Sequence, residues 1–320
     1  MLFQLRCLML KPRSSQYING VLLIFFYLLL IGAFDVLLGH LTQAFDPIKL
    51  VFWSTSITVL FYSVLNIFNV KTIIKKMDNN KLNIFALNLS TAVSWISFFM
   101  TLKYLEPLIV ATLSTAIGPI MTVFLYKYFR KNVAPNFSEK FSSILIFIVL
   151  LYIIFLNYRG LSALGKIDNH SILLGLGFSF LCGIASILNL VFSKKLHEKE
   201  FTSRDIMTLR FYLLLGGSLV YLFVNQNIVP DSHNEILVFF VIAFGSTIPG
   251  LYMLQLGIER IEPITVSFLL TLGPLATLPF QIFDPRLSFS INSFLSSFII
   301  ICLTLFAIYS RRYSIQGEKK

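Results

Sequence analysis

Few side chains in this sequence could do chemistry, and the notable ones stand in apolar surroundings. Asp35 lies within the run from Leu28 to Leu38, and Arg210 lies a few residues into another apolar run. An ionisable group held at membrane depth is costly, and where one is kept it marks a solute pathway or a proton relay. Asp35 can therefore supply charge or an exchangeable proton, unless it reaches interfacial water at the outer end of its helix. Arg210 either snorkels to the nearer surface or attracts an anionic group of a solute or a carboxylate. His40, closer to a helix end, is expected at the interface.

Two dipeptides repeat. Gly118-Pro119 and Gly273-Pro274 each fall midway through an apolar segment. Proline lacks an N–H and clashes with the preceding turn, so it frees a carbonyl and kinks the helix. Paired breaks at corresponding places in two halves point to a midplane site in secondary transporters; a packing kink is the plainer reading. Ser114 and Thr115 precede the first break, and Ser267 and Thr271 the second. These could present hydroxyls to a cavity or let helices pack closely. Asn189 and Gln255, like Asn66 and Asn88, are amides within apolar runs that could bond a solute or a neighbouring helix. Trp95 and Tyr252 fall one position apart when the halves are aligned, and either could stack on a flat ligand or simply pack.

These residues belong to a longer internal repeat. Phe99 to Pro107 runs on to Gly118-Pro119, and Met253 to Pro263 runs on to Gly273-Pro274. Each copy is an apolar helix, a turn at Glu-Pro and a second apolar helix, and the copies lie about half the chain apart. The same alignment sets Ser90-Thr91 against Ser246-Thr247. Glu106 and Glu262 each precede a proline and are expected as helix caps at the membrane edge.

The composition requires a membrane. Of 320 residues, 56% are hydrophobic and 13% charged, and apolar runs of roughly 20 residues, enough to cross a bilayer, recur throughout. Continuous rather than alternating runs select helices. Spans are expected at 20–41, 48–69, 82–104, 107–129, 141–158, 172–193, 206–224, 236–257, 263–283 and 289–310. The expected fold is all-α, with ten transmembrane helices as two inverted five-helix repeats, because an odd number of spans per copy turns the second copy upside down. The divisions are a cytoplasmic lead at 1–19, a first repeat at 20–158, an external linker at 159–171, a second repeat at 172–310 and a basic tail at 311–320. Lys71, Lys75, Lys76 and Lys81 share one side with Lys127, Arg130, Lys131 and Lys140, with Lys194, Lys195, Lys199 and Arg204, and with Arg311, Arg312, Lys319 and Lys320. The opposite loops hold Lys49, Lys103, Arg159, Lys166 and Arg286. Both termini are therefore placed in the cytoplasm. This rule accounts for the formal net charge of +11, so no nucleic-acid partner is expected.

Two five-span halves, the proline turn into the fourth and ninth spans and the Gly-Pro pair in each resemble the EamA-type transporters of the drug/metabolite transporter superfamily. Arg210-Phe211 resembles that family's arginine at the head of a repeat's second helix; Trp53 stands at the matching place in the first half. The resemblance implies a carrier whose central cavity is lined by spans one to four and six to nine, with spans five and ten peripheral. It implies transport of amino acids or related metabolites, often outward, and relatives exchange nucleotide-sugars or phosphorylated sugars.

Several classes are excluded. No phosphate-binding loop, H-E-x-x-H or G-x-S-x-G motif occurs, so neither an enzyme nor a cofactor is expected. Cys7, Cys182 and Cys302 are far apart, and no disulfide or metal site is expected. The reading is a secondary transporter exporting a small metabolite by alternating access, with the proton a coupling partner that Asp35 could serve. The alternatives are a nucleotide-sugar or sugar-phosphate exchanger and a non-transporting receptor or assembly subunit. Spans 141–158 and 289–310 could carry a homodimer contact. Frequent Asn, Lys, Ile and Phe suggest an AT-rich genome and a bacterial inner membrane.

Overall fold

The structure, a computed structural model, describes residues 10–124, 136–161, 168–261, 263–285, 287 and 290–317. The expectations for Cys7, Lys127, Arg130, Lys131, Lys166, Glu262, Arg286, Lys319 and Lys320 lie outside the described residues.

The described residues are helical with short connections. The first half runs α1 (Leu10–Ala44), α2 (Pro47–Leu65), α3 (Val70–Asp78), α4 (Lys81–Tyr104), α5 (Pro107–Phe124) and α6 (Phe137–Tyr158). The second runs α7 (Asn169–His197), α8 (Ser203–Leu209), α9 (Tyr212–Val224), α10 (His233–Ile242), a π-helical turn (Ala243–Thr247), α11 (Ile248–Arg260), α12 (Pro263–Leu270), α13 (Gly273–Ile282) and α14 (Ile291–Gly317). Among the described residues eight segments are long and apolar enough to cross a membrane, and two shorter apolar helices, Pro107–Met121 and Ile291–Ala307, accompany them. The chain is thus a helical membrane protein.

Local chemistry sets the helix starts. Asp46 accepts from the Ile48 and Lys49 amides at 2.7 and 3.3 Å, with Pro47 at the first helical position of α2. Such a cap satisfies donors that a helix start leaves unpaired. Asp168 does the same for α7 through the Ser171 amide, and that hydrogen bonding holds its carboxyl below the usual carboxylate range. Thr202 and Asp205 form a reciprocal capping box on α8. At α5 the Leu108 amide donates to Gln281 Oε1 of α13 at 2.8 Å, and Glu106, expected as a cap at the membrane edge, is buried.

Helices α4 and α7 pack along each other, α1 lies against α11 and α13, and α6 and α14 pack on each other and on α5. The approach of α1 to α13 requires a glycine. A Cβ on Gly32 would sit 2.5 Å from the Ala276 carbonyl carbon, closer than real contacts allow.

Two departures from the sequence expectation bear on function. The span expected at 206–224 is interrupted at Arg210-Phe211, and the loop expected to carry Lys71, Lys75 and Lys76 is helix α3. The Gly-Pro pairs also differ: α5 continues through Gly118-Pro119, whereas α12 ends at Leu270 and α13 begins at Gly273. The hydroxyl ahead of each proline follows the difference. Thr115 Oγ1 donates to the Ala111 carbonyl four residues back, keeping α-helical spacing, while Thr271 Oγ1 donates to Phe268 O three residues back and tightens the turn.

Candidate functional site

A cavity with about 170 Å³ open to water-sized molecules lies within the helix bundle. One face of α1 supplies Tyr27, Leu28, Ile31, Asp35 and Leu38, spaced as a single helical stripe. Trp95, Phe98 and Phe99 of α4 add an aromatic wall, and Ser114, Thr115 and Gly118 of α5 line the adjoining face. From the second half come Asn189, Arg210, Ser246, Thr247, Ser267 and Gly273. Among the described residues none of α6 or α14 lines it.

Asp35 is 5% exposed and so does not reach interfacial water. Among the described residues its Oδ2 receives only a long 3.5 Å hydrogen bond from Thr277 Oγ1, and its Oδ1 has no partner. Arg210, 3% exposed, does not snorkel to the surface. Its Nη2 donates to Asn189 Oδ1 at 2.7 Å and its Nη1 reaches Gln255 Oε1 at 3.4 Å, while Nε has no partner among the described residues. Its guanidinium also lies 5.4 Å from the Phe211 ring centroid. The guanidinium is thus aimed by amides, with no ion pair to any described carboxylate. Asn189 is held in turn by donating to Thr91 Oγ1 at 2.6 Å, and Gln255 Nε2 lies 3.4 Å from His197 Nε2.

The backbone around Arg210 is shaped for this placement. The α8–α9 break leaves polar groups unpaired, and the Asn88 side chain of α4 takes them up: its Nδ2 donates to Leu209 O at 2.7 Å, and its Oδ1 accepts from the Leu213 amide at 3.3 Å. Phe211 is buried, edge-on to Trp95 with centroids 5.7 Å apart. The π-helical turn has a comparable cause. Pro249 cannot donate to the carbonyl four residues back, the turn widens upstream of it, and Ser246 and Thr247 come to the cavity wall. Tyr62 of α2 donates its hydroxyl to Ile248 O at 2.9 Å.

Five residues named from the sequence stand elsewhere. Tyr252 faces Tyr62, with rings 5.9 Å apart, and lines a separate groove with Asn66, Lys76 and Glu259, so only Trp95 of the aligned pair meets the cavity. Gln255 is fully buried behind Arg210. Thr271 is turned into the α12–α13 connection, and neither Pro119, inside the continuous α5, nor Pro274, in the first turn of α13, lines the space. Asn66 and Asn88 bond neighbouring helices, Asn66 through Thr208 Oγ1 at 2.8 Å.

Sequence reasoning passed over Tyr27, Ser94, Cys182 and Ser186. Tyr27 stands eight residues before Asp35 on the same helical face, a legible signal. Ser94 Oγ lies 2.9 Å from Ser186 Oγ, with Cys182 Sγ 3.9 Å from the latter. That cluster depends on how α4 meets α7, which no spacing within one segment announces.

A second charged group joins the first half of the chain to the second. Lys49 Nζ lies 2.8 Å from Asp231 Oδ2, 3.2 Å from Glu235 Oε2 and 3.1 Å from Asn227 Oδ1. Lys49 and Glu235 are 1% and 2% exposed while Asp231 is 81% exposed, so the cluster sits at the water boundary. Beside it Trp53 donates to Ile228 O at 3.0 Å and stacks on Phe239 at 6.0 Å. Phe239 lies one turn from Ile242, which lines the cavity.

No protein-family model matches the chain, and no curated protein matches it in sequence. Among solved structures 21 chains match. One, a crystal structure of a protein, superposes with a TM-score of 0.63 at 15% sequence identity, over 94% of this chain and 99% of that chain. At that identity the likeness is one of fold.

Proposed function

We propose that the protein is a secondary transporter that moves a small metabolite, an amino acid or a related compound, across a cell membrane by alternating access. The observation that carries this reading is the cavity itself. It holds a buried carboxylate with an unpartnered oxygen and a buried guanidinium with an unpartnered nitrogen, neither neutralised by a described ion pair. Ionisable groups kept unpaired at membrane depth are explained by a solute or proton that completes them. A carboxylate attracts an amine, a guanidinium attracts a carboxylate, and the aromatic wall accommodates an apolar portion.

Two further features support an EamA-type carrier with ten spans in two inverted repeats. The eight long apolar segments and the two shorter apolar helices found among the described residues match in number the ten spans that this reading requires. The two Gly-Pro segments also meet reciprocally: a Cβ on Gly118 would lie 3.4 Å from Ser267 Cβ, and one on Gly273 would lie 4.0 Å from Thr115 Cγ2. One of the two, the α12–α13 segment, is interrupted there, and interrupted segments near the bilayer midplane are where such carriers place their sites. In this reading both termini are cytoplasmic, net movement is outward through a bacterial inner membrane, and Asp35 supplies charge or proton coupling.

The test compares metabolites in cells and medium for the wild type, Asp35→Asn and an empty vector, followed by flux of the identified solute in proteoliposomes at several pH values. A small set of solutes redistributed by the wild type alone is expected, with the pH dependence of flux lost in Asp35→Asn. Unchanged pH dependence in that variant removes the coupling role. No redistribution, with the protein confirmed in the membrane, removes the transport reading.

A further inference from the structure

Helix α3 and the turn before it carry a surface that the cavity does not use. Among the described residues α3 joins the end of α2 to the start of α4, so it lies where two apolar spans leave the membrane. One side is fixed to the protein. Ile73 is buried with Leu196, Phe201 and Ile206, and Lys76 donates to Glu200 O at 2.6 Å with its ammonium 5.6 Å from the Phe201 ring centroid. The other side is open and apolar. Ile67, Val70 and Ile74 follow one helical stripe and are all exposed, and Phe68 is 97% exposed. The stripe continues into exposed Val64 and Leu65 of α2 and Leu82 and Phe85 of α4, the sides that those spans turn to lipid. Lys71 and Lys75 flank it, exposed and with no ion pair to a described residue.

We propose that residues 67–78 lie in the plane of the membrane–water interface and bind anionic lipid, with Phe68, Ile67, Val70 and Ile74 among the acyl chains and Lys71 and Lys75 on headgroup phosphates. A phenylalanine left almost wholly in water on a short helix loses the burial that its ring would gain among acyl chains. An apolar stripe flanked by lysines is the pattern that settles at this depth. Charge selects the lipid: the uncompensated cations match an acidic headgroup and gain nothing from a neutral one. This inference does not depend on whether the cavity carries a solute.

The experiment uses the full chain with Cys7→Ser, Cys182→Ser and Cys302→Ser, carrying a nitroxide at Phe68→Cys or Ile74→Cys, or at Glu198→Cys, exposed just past α7, as the water-facing reference. The protein is placed in vesicles of phosphatidylcholine, with or without phosphatidylglycerol. Labels at 68 and 74 are expected to collide with oxygen in preference to a water-soluble nickel chelate, at a depth of about 5–10 Å, with the reverse at 198. Two labelled positions guard against one variant failing to fold. Nickel-chelate collisions at 68 and 74 equal to those at 198 would overturn the proposal and leave the face open to a protein partner. The lipid preference is read from the association of spin-labelled phosphatidylglycerol relative to phosphatidylcholine. Lys71→Gln and Lys75→Gln should each lower it, by up to about fivefold, while Lys71→Arg and Lys75→Arg retain it. An unchanged preference in the double glutamine variant would overturn the assignment of anionic lipid.

Discussion

The two halves of the chain bring comparable segments to the cavity in different states of order. Up to Tyr158 the described membrane helices are continuous, and even α5 runs unbroken through Gly118-Pro119. From Asn169 onward three segments are interrupted beside the cavity: at Arg210-Phe211, across Ala243–Thr247, and at Thr271-Leu272. A broken helix in lipid is tolerated only where its freed backbone groups are paired again. The regular half does much of that pairing. Asn88 bridges the first break, Tyr62 reaches Ile248 O at the second, and Thr271 serves the third from within. The straight helices thus brace the irregular ones, and the irregular ones bring Arg210, Ser246 and Thr247 to the cavity.

The largest effect is expected where a break delivers a charge. Arg210→Leu removes the guanidinium and leaves Asn189 and Gln255 each without one partner. Hydrogen bonds to a charged group contribute about 1.5–3 kcal/mol, so flux at low solute concentration should fall about 10- to 100-fold. Arg210→Lys should recover part of it, since lysine restores the charge without the planar fork. Flux in proteoliposomes decides this, and wild-type rates in Arg210→Leu would remove the residue from the site. Next in size is the brace. Asn88→Leu leaves Leu209 O and the Leu213 amide unpaired at membrane depth and should cost about 2–4 kcal/mol. A lowered midpoint in detergent unfolding is expected, and an unchanged one would mean that the break is stable without its staple.

The sequence showed the unusual groups better than the backbone that places them. Asp35 and Arg210 were legible because an ionisable side chain in an apolar run is conspicuous at any packing. The break at Arg210-Phe211 was not, because neither residue is a helix breaker, and its cause lies in Asn88 on another helix. The π-helical turn had a local sign in Pro249, inside a run otherwise read as one span. Tyr252 misled because alignment equates positions in the two copies, whereas its side chain follows a helix whose phase the π-helical turn has shifted. The amphipathic pattern of Val70–Asp78 was present in the sequence, but its lysines drew attention as topology signals instead of as one edge of a helix.

Lys49 tests the contact between the halves. In Lys49→Met the buried Glu235 carboxylate keeps its bond from the Asp231 amide but loses its cation. At the water boundary this should cost about 2 kcal/mol, less than for a fully enclosed pair. In a Cys7→Ser, Cys302→Ser background, Cys182 should then react several-fold faster with a small thiol reagent, because the cluster joins α2 to the segment that carries Phe239 and, one turn on, Ile242 at the cavity wall. Unchanged reactivity would assign Lys49 to stability alone.

The smallest effect sharpens the comparison most directly, because it asks the same question of the same dipeptide in each half. Neither Gly118 nor Gly273 has left-handed backbone, so what each supplies is space. A Cβ on Gly118 would meet Ile187 Cδ1 at 3.0 Å, whereas one on Gly273 would meet nothing closer than Leu28 Cδ2 at 3.9 Å. Gly118→Ala must push a neighbour aside, which offsets the roughly 0.5–1 kcal/mol that alanine gains over glycine within a helix. Gly273→Ala fits without displacement and places a methyl at the cavity wall. The expected pattern is a thermal midpoint nearly unchanged in both, with the apparent KM for the solute raised a few-fold in Gly273→Ala. Equal shifts in KM would mean that the continuous helix and the broken one contribute alike to the site, and the contrast between the halves would then be one of backbone regularity without functional consequence.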